Sequence, residues 1–161
     1  MDPVVTPFAQ LMGLNDHLLG KALAGIKPDD LARRPGPNSN PLLWIVGHIV
    51  ATRNLLARAL GAGLDLPWAG KFAQKSAFDE TAEYPEAAEL EKILRQLSAQ
   101  LQVRLTQLSD AELSAPGSRE FPIPDKTMRG TIAFLIYHEA YHVGQVGYLK
   151  KWLGYPGIVD G

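Results

Sequence analysis

Apolar positions recur near a period of 3.6 in four separate stretches of the chain, and strand-like alternation is scarce. The first stretch runs from about Val4 to Ile26. There Phe8, Leu11, Met12, Leu18, Leu19, Ala22 and Ile26 share helical spacing, and Gly25 and Pro28 mark the end. Asn15 lies inside this stripe, either lining an internal pocket or satisfied by a neighbouring helix or water. His17 falls opposite Phe8 on the wheel and reads as surface. After a Pro-rich linker, the second stretch opens with Asn40 as the predicted N-cap and Pro41 at the first helical position. It continues as PLLWIVGHIVATRNLLARAL and stops at Gly61. Its first half is apolar nearly all round, which predicts a central helix. The third stretch starts near Pro85 with acids in its first turns. It carries the seam Leu90, Ile93, Leu94, Leu97, Leu101, Leu105 and Leu108, and ends near Ser109 and Asp110. The fourth spans Thr131 to Trp152 and stops around Leu153 and Gly154.

Two long connections, Gly61 to Tyr84 and Ser114 to Lys126, are too rich in Gly, Pro and mixed residues to read as helices. Connections this long are often functional. Trp68 and Phe72 in the first are read either as cover for the mouth of a site or as anchors pinning the loop. Four amphipathic segments of about 20 residues predict an all-α fold, a four-helix bundle with long inter-helix loops, formed as one domain over 1–161.

Chemistry concentrates in the fourth segment. His138 and His142 stand four residues apart, about 400° on a helix, so their rings project from nearly one side. They are read on an apolar stripe of Thr131, Leu135, Val146, Leu149 and Leu153. Buried imidazoles need partners, since an unsatisfied polar group costs roughly 1–3 kcal/mol. A metal would supply one to both rings. His48, in the apolar half of segment two, offers a third nitrogen. Three such ligands leave a fourth position open, the pattern of a catalytic rather than a structural site.

His138-Glu139-Ala140-Tyr141-His142 also matches the zinc-protease H-E-x-x-H pattern, with Glu139 as general base. The chain beyond His142 contains no His or Glu for a third ligand, and no strand is available to bind a peptide. Glu139 is therefore read as a base or a partner of the histidines, or as facing a neighbouring helix. Tyr141 and Gln145 flank the stripe and, with Asn15, Trp44 and Trp68, are candidate pocket residues.

Composition narrows this picture. There is no cysteine, which removes disulfides, thiolate ligands and a cysteine nucleophile. A net charge of −1 gives no electrostatic case for nucleic acid or an anionic membrane. The basic pairs Arg33-Arg34 and Lys150-Lys151 read as solvated surface. No apolar run reaches the roughly 18 residues of a membrane helix. With no secretory signal pattern at the N-terminus, a cytoplasmic location is expected.

NPLLWIVGHIV followed by HEAYHVGQVGYLKKWLG resembles the DinB/YfiT-like metalloenzyme family over essentially the whole chain. The most specific part is H-x-x-x-H-x-G-Q, here His138, His142, Gly144 and Gln145, preceded by the lone His48. The resemblance implies a four-helix bundle, commonly dimeric, whose His48, His138 and His142 bind a divalent metal, zinc or nickel. It also implies a small-molecule substrate, since some relatives are transferases or isomerases that use low-molecular-weight thiols. Three readings stay open. One is a metalloenzyme performing thiol S-transfer or metal-assisted hydrolysis, with transfer preferred on resemblance. Another is a non-catalytic metal- or ligand-binding dimer serving as a sensor or stress-response module. The last is a bundle with three unlinked buried histidines.

Overall fold

Each apolar stretch forms a helix because its stripe has somewhere to go. The computed structural model describes residues 4–73 and 75–159. Helix α1 spans Thr6–Leu23, α2 Leu42–Ala59, α3 Ala87–Thr106, α4 Asp110–Ser114 and α5 Met128–Trp152. The four long helices pack around one apolar core. Among the described residues there is no strand, only an isolated bridge between Pro116 and Thr127. No helix among them is long and apolar enough to cross a membrane.

Helix α2 is the hub. Twelve of its eighteen residues are buried, and it packs against both α3 and α5. Its start differs from expectation by one step. Pro41 occupies the cap position with extended backbone, and the side chain of Asn40 accepts a hydrogen bond from the Phe78 amide at 3.2 Å instead of capping. Its end agrees with the sequence: Gly61 takes φ +76°, which an L residue adopts only at a cost. Helix α3 buries Leu90, Leu94, Leu97, Leu101 and Leu105 on one seam. Beyond it, Ser109 opens the short α4 through a reciprocal capping box with Glu112.

Three expectations need correction. Leu11 is exposed, not part of the buried face of α1. Lys150 is buried rather than solvated. Its ammonium donates to the carbonyls of Lys21 at 2.6 Å and Ala24 at 3.2 Å, satisfying acceptors at the C-terminal end of α1 where a cation is favoured. The stripe residues Thr131, Leu135, Val146 and Leu149 of α5 are buried as expected, but the buried face extends away from the histidines to Ile132, Ile136, Glu139 and Val143. His138 and His142 therefore sit on its shoulder, half-buried, between the core and a solvent-facing side.

The connection from Gly61 to Tyr84 is tied down at several points. The Asn54 side chain donates to the Leu64 carbonyl at 3.0 Å and accepts from its amide at 2.8 Å. Residues Ala69–Phe72 form a 3-10 turn that drives Phe72 fully into the core. The ring of Phe72 lies where a Cβ on Gly47 would stand, with ring carbons 2.2–2.5 Å from that position, so the turn can approach α2 only because residue 47 is glycine.

Candidate metal centre

His48, His138 and His142 converge although His48 and His138 are 90 residues apart in the sequence. One ligand atom of each lies within 4.8 Å of the others, and among the described residues this is the one such His/Cys/Asp/Glu group. The ring centroids of His48 are 5.2 Å from His138 and 4.6 Å from His142. The two histidines of α5 face each other with Nε2 to Nε2 at 3.2 Å.

Hydrogen bonds decide which nitrogens are available. The Nδ1 of His48 stands 2.6 Å from the Phe72 carbonyl. A carbonyl only accepts, so Nδ1 carries the proton and Nε2 keeps its lone pair. The Nδ1 of His142 donates in the same way to the Gln145 side-chain oxygen at 2.7 Å, while the Gln145 amide nitrogen reaches the Tyr141 hydroxyl at 3.3 Å. This is the arrangement that orients ligating imidazoles. Around a tetrahedral ion with bonds of about 2.0–2.1 Å, neighbouring nitrogens stand about 3.3–3.4 Å apart. The observed Nε2 pair fits that edge, so the three histidines could hold a metal ion. The Nδ1 of His138 is buried with no partner among the described residues.

Protonation favours the same conclusion. Burial holds the His48 imidazole below its ordinary pKa, against the opposing effect of the Phe72 carbonyl. Burial and the neighbouring His48 do the same to His138. His142 is pushed down to about 4, chiefly by burial and further by the other two rings, against the opposing effect of Gln145. All three are neutral at neutral pH, the form that binds metal.

The centre lies between α2 and α5 with space on both sides. A cavity of about 910 Å³ is lined by all three histidines together with Trp44, Tyr141 and Gln145. Trp44 stacks on His48 at 5.2 Å with the rings nearly parallel, and its indole N–H donates to the Lys71 carbonyl at 3.3 Å. A smaller chamber of about 390 Å³ opens on the other side of His48 and His138.

Two candidate residues lie elsewhere. Asn15 is buried against α5, donating to Glu139 at 3.0 Å, so it lines neither chamber. Trp68 packs edge-on against Phe72 at 5.5 Å and also lines neither; it anchors the loop. Glu139, one residue from His138, points into the bundle. Its carboxylate accepts from Arg53 Nε at 2.7 Å and from Arg53 Nη2. Arg53 also binds Asp16 and Ser98, joining α1, α2, α3 and α5 in one buried network. Burial works against the charged guanidinium, but Glu139 and Asp16 outweigh it and hold the pKa of Arg53 above its usual value.

A family model described as the DinB superfamily matches residues 15–146, a span that includes all three histidines. The chain belongs to the DinB superfamily. The DinB fold is also seen in solved structures similar to it. A conserved protein from Enterococcus faecalis superposes with a TM-score of 0.73 at 20% identity, over 95% of this chain and 98% of that one. A DinB-like protein from Bacillus subtilis superposes with a TM-score of 0.62 at 19% identity, over 99% of this chain and 97% of that one. No curated protein matches the chain.

Sequence reasoning missed three parts of this DinB centre. The Phe72 carbonyl that fixes the His48 tautomer leaves no trace in side-chain identity. Ser98 sits on a helix read as purely structural. Arg53 carried one weak signal, an arginine one turn past the apolar half of a central helix.

Proposed function

We propose that this DinB-superfamily chain is a metal-dependent enzyme holding one divalent cation, zinc or nickel, on His48, His138 and His142. Its proposed reaction is S-transfer from a low-molecular-weight thiol to a small organic substrate. The observation that carries the metal reading is the paired arrangement of Nε2 atoms facing inward while Nδ1 of His48 and of His142 is bonded outward. Held there, a divalent cation would supply Lewis acidity to a thiol at its open position.

The chain's own residues do the rest. Phe72 and Gln145 keep the imidazoles oriented, and burial keeps them unprotonated. In the transfer, the S–H proton goes to solvent. The sulfur lone pair forms a bond to the substrate carbon, and the leaving group departs with the electrons of the bond it breaks. Among the described residues none lining the wide cavity is acidic, and Glu139 is engaged with Arg53. That favours a nucleophile needing no carboxylate base over hydrolysis with one. A non-catalytic binding bundle is the competing reading, supported by the same missing acid.

The test is elemental analysis of tag-free protein. About one metal per chain in wild type, lost in His138→Ala and in His48→Ala, supports the reading. Protein that stays metal-free after reloading with zinc and nickel refutes it. Thiol-transfer and hydrolytic substrates then separate the reactions, and a loaded protein inert to both classes supports the binding bundle.

The DinB chain is further proposed to pair with a second copy through the exposed face of α5. Tyr137, Tyr141, Tyr148 and Trp152 are 68%, 57%, 69% and 41% exposed on that side. Their spacing is symmetric about Gly144 and Gln145, as an isologous antiparallel contact requires. Light scattering should give twice the chain mass for wild type and the chain mass for Tyr148→Glu; a monomeric wild type removes the proposal.

A further inference from the structure

The histidine centre has two sides of different chemistry. Helices α2 and α5 run antiparallel. The wide cavity takes Trp44 and Ile45 of α2 with Tyr141, Gln145 and Leu149 of α5. The smaller chamber takes Ala51 and Leu55 of α2 with Phe134 and Leu135 of α5. His48 and His138 line both, and so form the wall between them.

The wide side is polar. Asn38, Ser39, Asn40, Lys75 and Gln145 line it, with no acid among the described residues. The small side is apolar in its depth. Phe72, Phe121 and Phe134 close it, and Phe121 stacks on Phe134 at 4.6 Å. Thr52 contributes no free donor, because its hydroxyl is turned back to the carbonyls of His48 at 2.8 Å and Ile49 at 3.1 Å. The charged lining residues, Arg119 and Glu120, are exposed loop residues, and the Arg119 guanidinium lies over the Phe121 ring at 5.3 Å. A volume of about 390 Å³ falls at the lower end of small-molecule sites, which run from roughly 300 to 1,000 Å³.

We propose that this smaller chamber binds an uncharged, ring-sized apolar group, the organic acceptor of the reaction, while the hydrophilic partner enters from the wide cavity. The assignment of an acceptor rests on the proposed transferase reading; the binding of an apolar ring does not. Hydrolysis needs one organic pocket and water. Two organic pockets of opposite polarity sharing one histidine wall suit passage of a group from one molecule to another.

The probe is 4-fluorotoluene, followed by fluorine NMR with metal-free and zinc-loaded protein. Saturable binding is expected in wild type. It should weaken at least tenfold in Ala51→Phe, which fills the chamber, and change less than twofold in Ser39→Phe, which fills the wide side. If Ala51→Phe fails to fold, Leu55→Trp occupies the same space from the next turn. No saturable binding in wild type, equal binding in the chamber-filling variant, or equal loss in Ser39→Phe overturns the proposal. Zinc stoichiometry on the same samples keeps the two readings apart. Zinc bound without the probe sinks the chamber alone, whereas probe bound by protein that takes up neither zinc nor nickel sinks the metalloenzyme reading and leaves the chamber standing.

Discussion

Replacing Arg53 by methionine tests how the two halves of the centre are held in register. The Arg53 side chain is 1% exposed and that of Glu139 6%. Methionine keeps much of the hydrocarbon bulk but leaves the Glu139 carboxylate buried with Asn15 as its remaining side-chain donor. Removing one member of a buried pair typically costs about 3–5 kcal/mol, because the other charge stays uncompensated. That is a large share of the 5–15 kcal/mol by which a domain is usually stable. With a urea slope of about 1–3 kcal/mol per molar, the midpoint should fall by roughly 2 M. Arg95→Met is the internal control. Its pair with Glu91 spans one helical turn at 3.3 Å with Arg95 71% exposed, so it should cost less than about 1 kcal/mol. The double variant Arg53→Met with Glu139→Leu removes both charges and should recover part of the loss. Because Glu139 adjoins His138 and Arg53 lies five residues beyond His48, folded Arg53→Met should also bind zinc more weakly than wild type. A midpoint for Arg53→Met no lower than that of Arg95→Met would refute the reasoning.

Leu101→Ala, at a fully buried point on the α3 seam, should lower stability by roughly 2–5 kcal/mol in denaturant titration while leaving metal stoichiometry intact. Gly47→Ala places a methyl where the Phe72 ring stands, so it should cost about 1–3 kcal/mol and loosen the carbonyl contact to His48, seen as weaker zinc binding. Metal-free protein should lose stability as pH falls from about 6.5 to about 4. His142 titrates at about 4 when folded against 6.5 for the free side chain, so the unfolded chain binds more protons in that window. A midpoint constant with pH over that range, or one rising as pH falls, would contradict this. Zinc-loaded protein should also release its metal on acidification, because protons compete for the same nitrogens.

The long helices were legible because their evidence is local. The α3 seam repeats every three or four residues, and the third and second helices end within a few residues of their Gly, Pro and polar signals. Helix α4 is legible in its Ser-x-x-Glu start, a pattern that also reads as the polar end of α3. The α5 stripe is buried at Thr131, Leu135, Val146 and Leu149, but the full width of its buried face is not legible in the sequence, for a physical reason. Glu139 and Lys150 lie on the buried side, so the core stripe of that helix is broken by charges that resemble surface. Each is paid for by partners far along the chain: Arg53 is 86 residues from Glu139, and the acceptors of Lys150 lie 126 and 129 residues away. Periodicity cannot see a partner on another helix.

The three histidines escaped that blindness because imidazole is uncommon on apolar helix faces and few groups could satisfy three at once. The Phe72 carbonyl has no such signature, since every residue presents the same main-chain atom. What distinguishes it is Gly47, one residue before His48, whose missing side chain lets the turn come close enough for that carbonyl to reach the ring. A glycine inside an otherwise apolar helix, beside a histidine, was the available clue. It has a steric meaning only when the element packed against it is known.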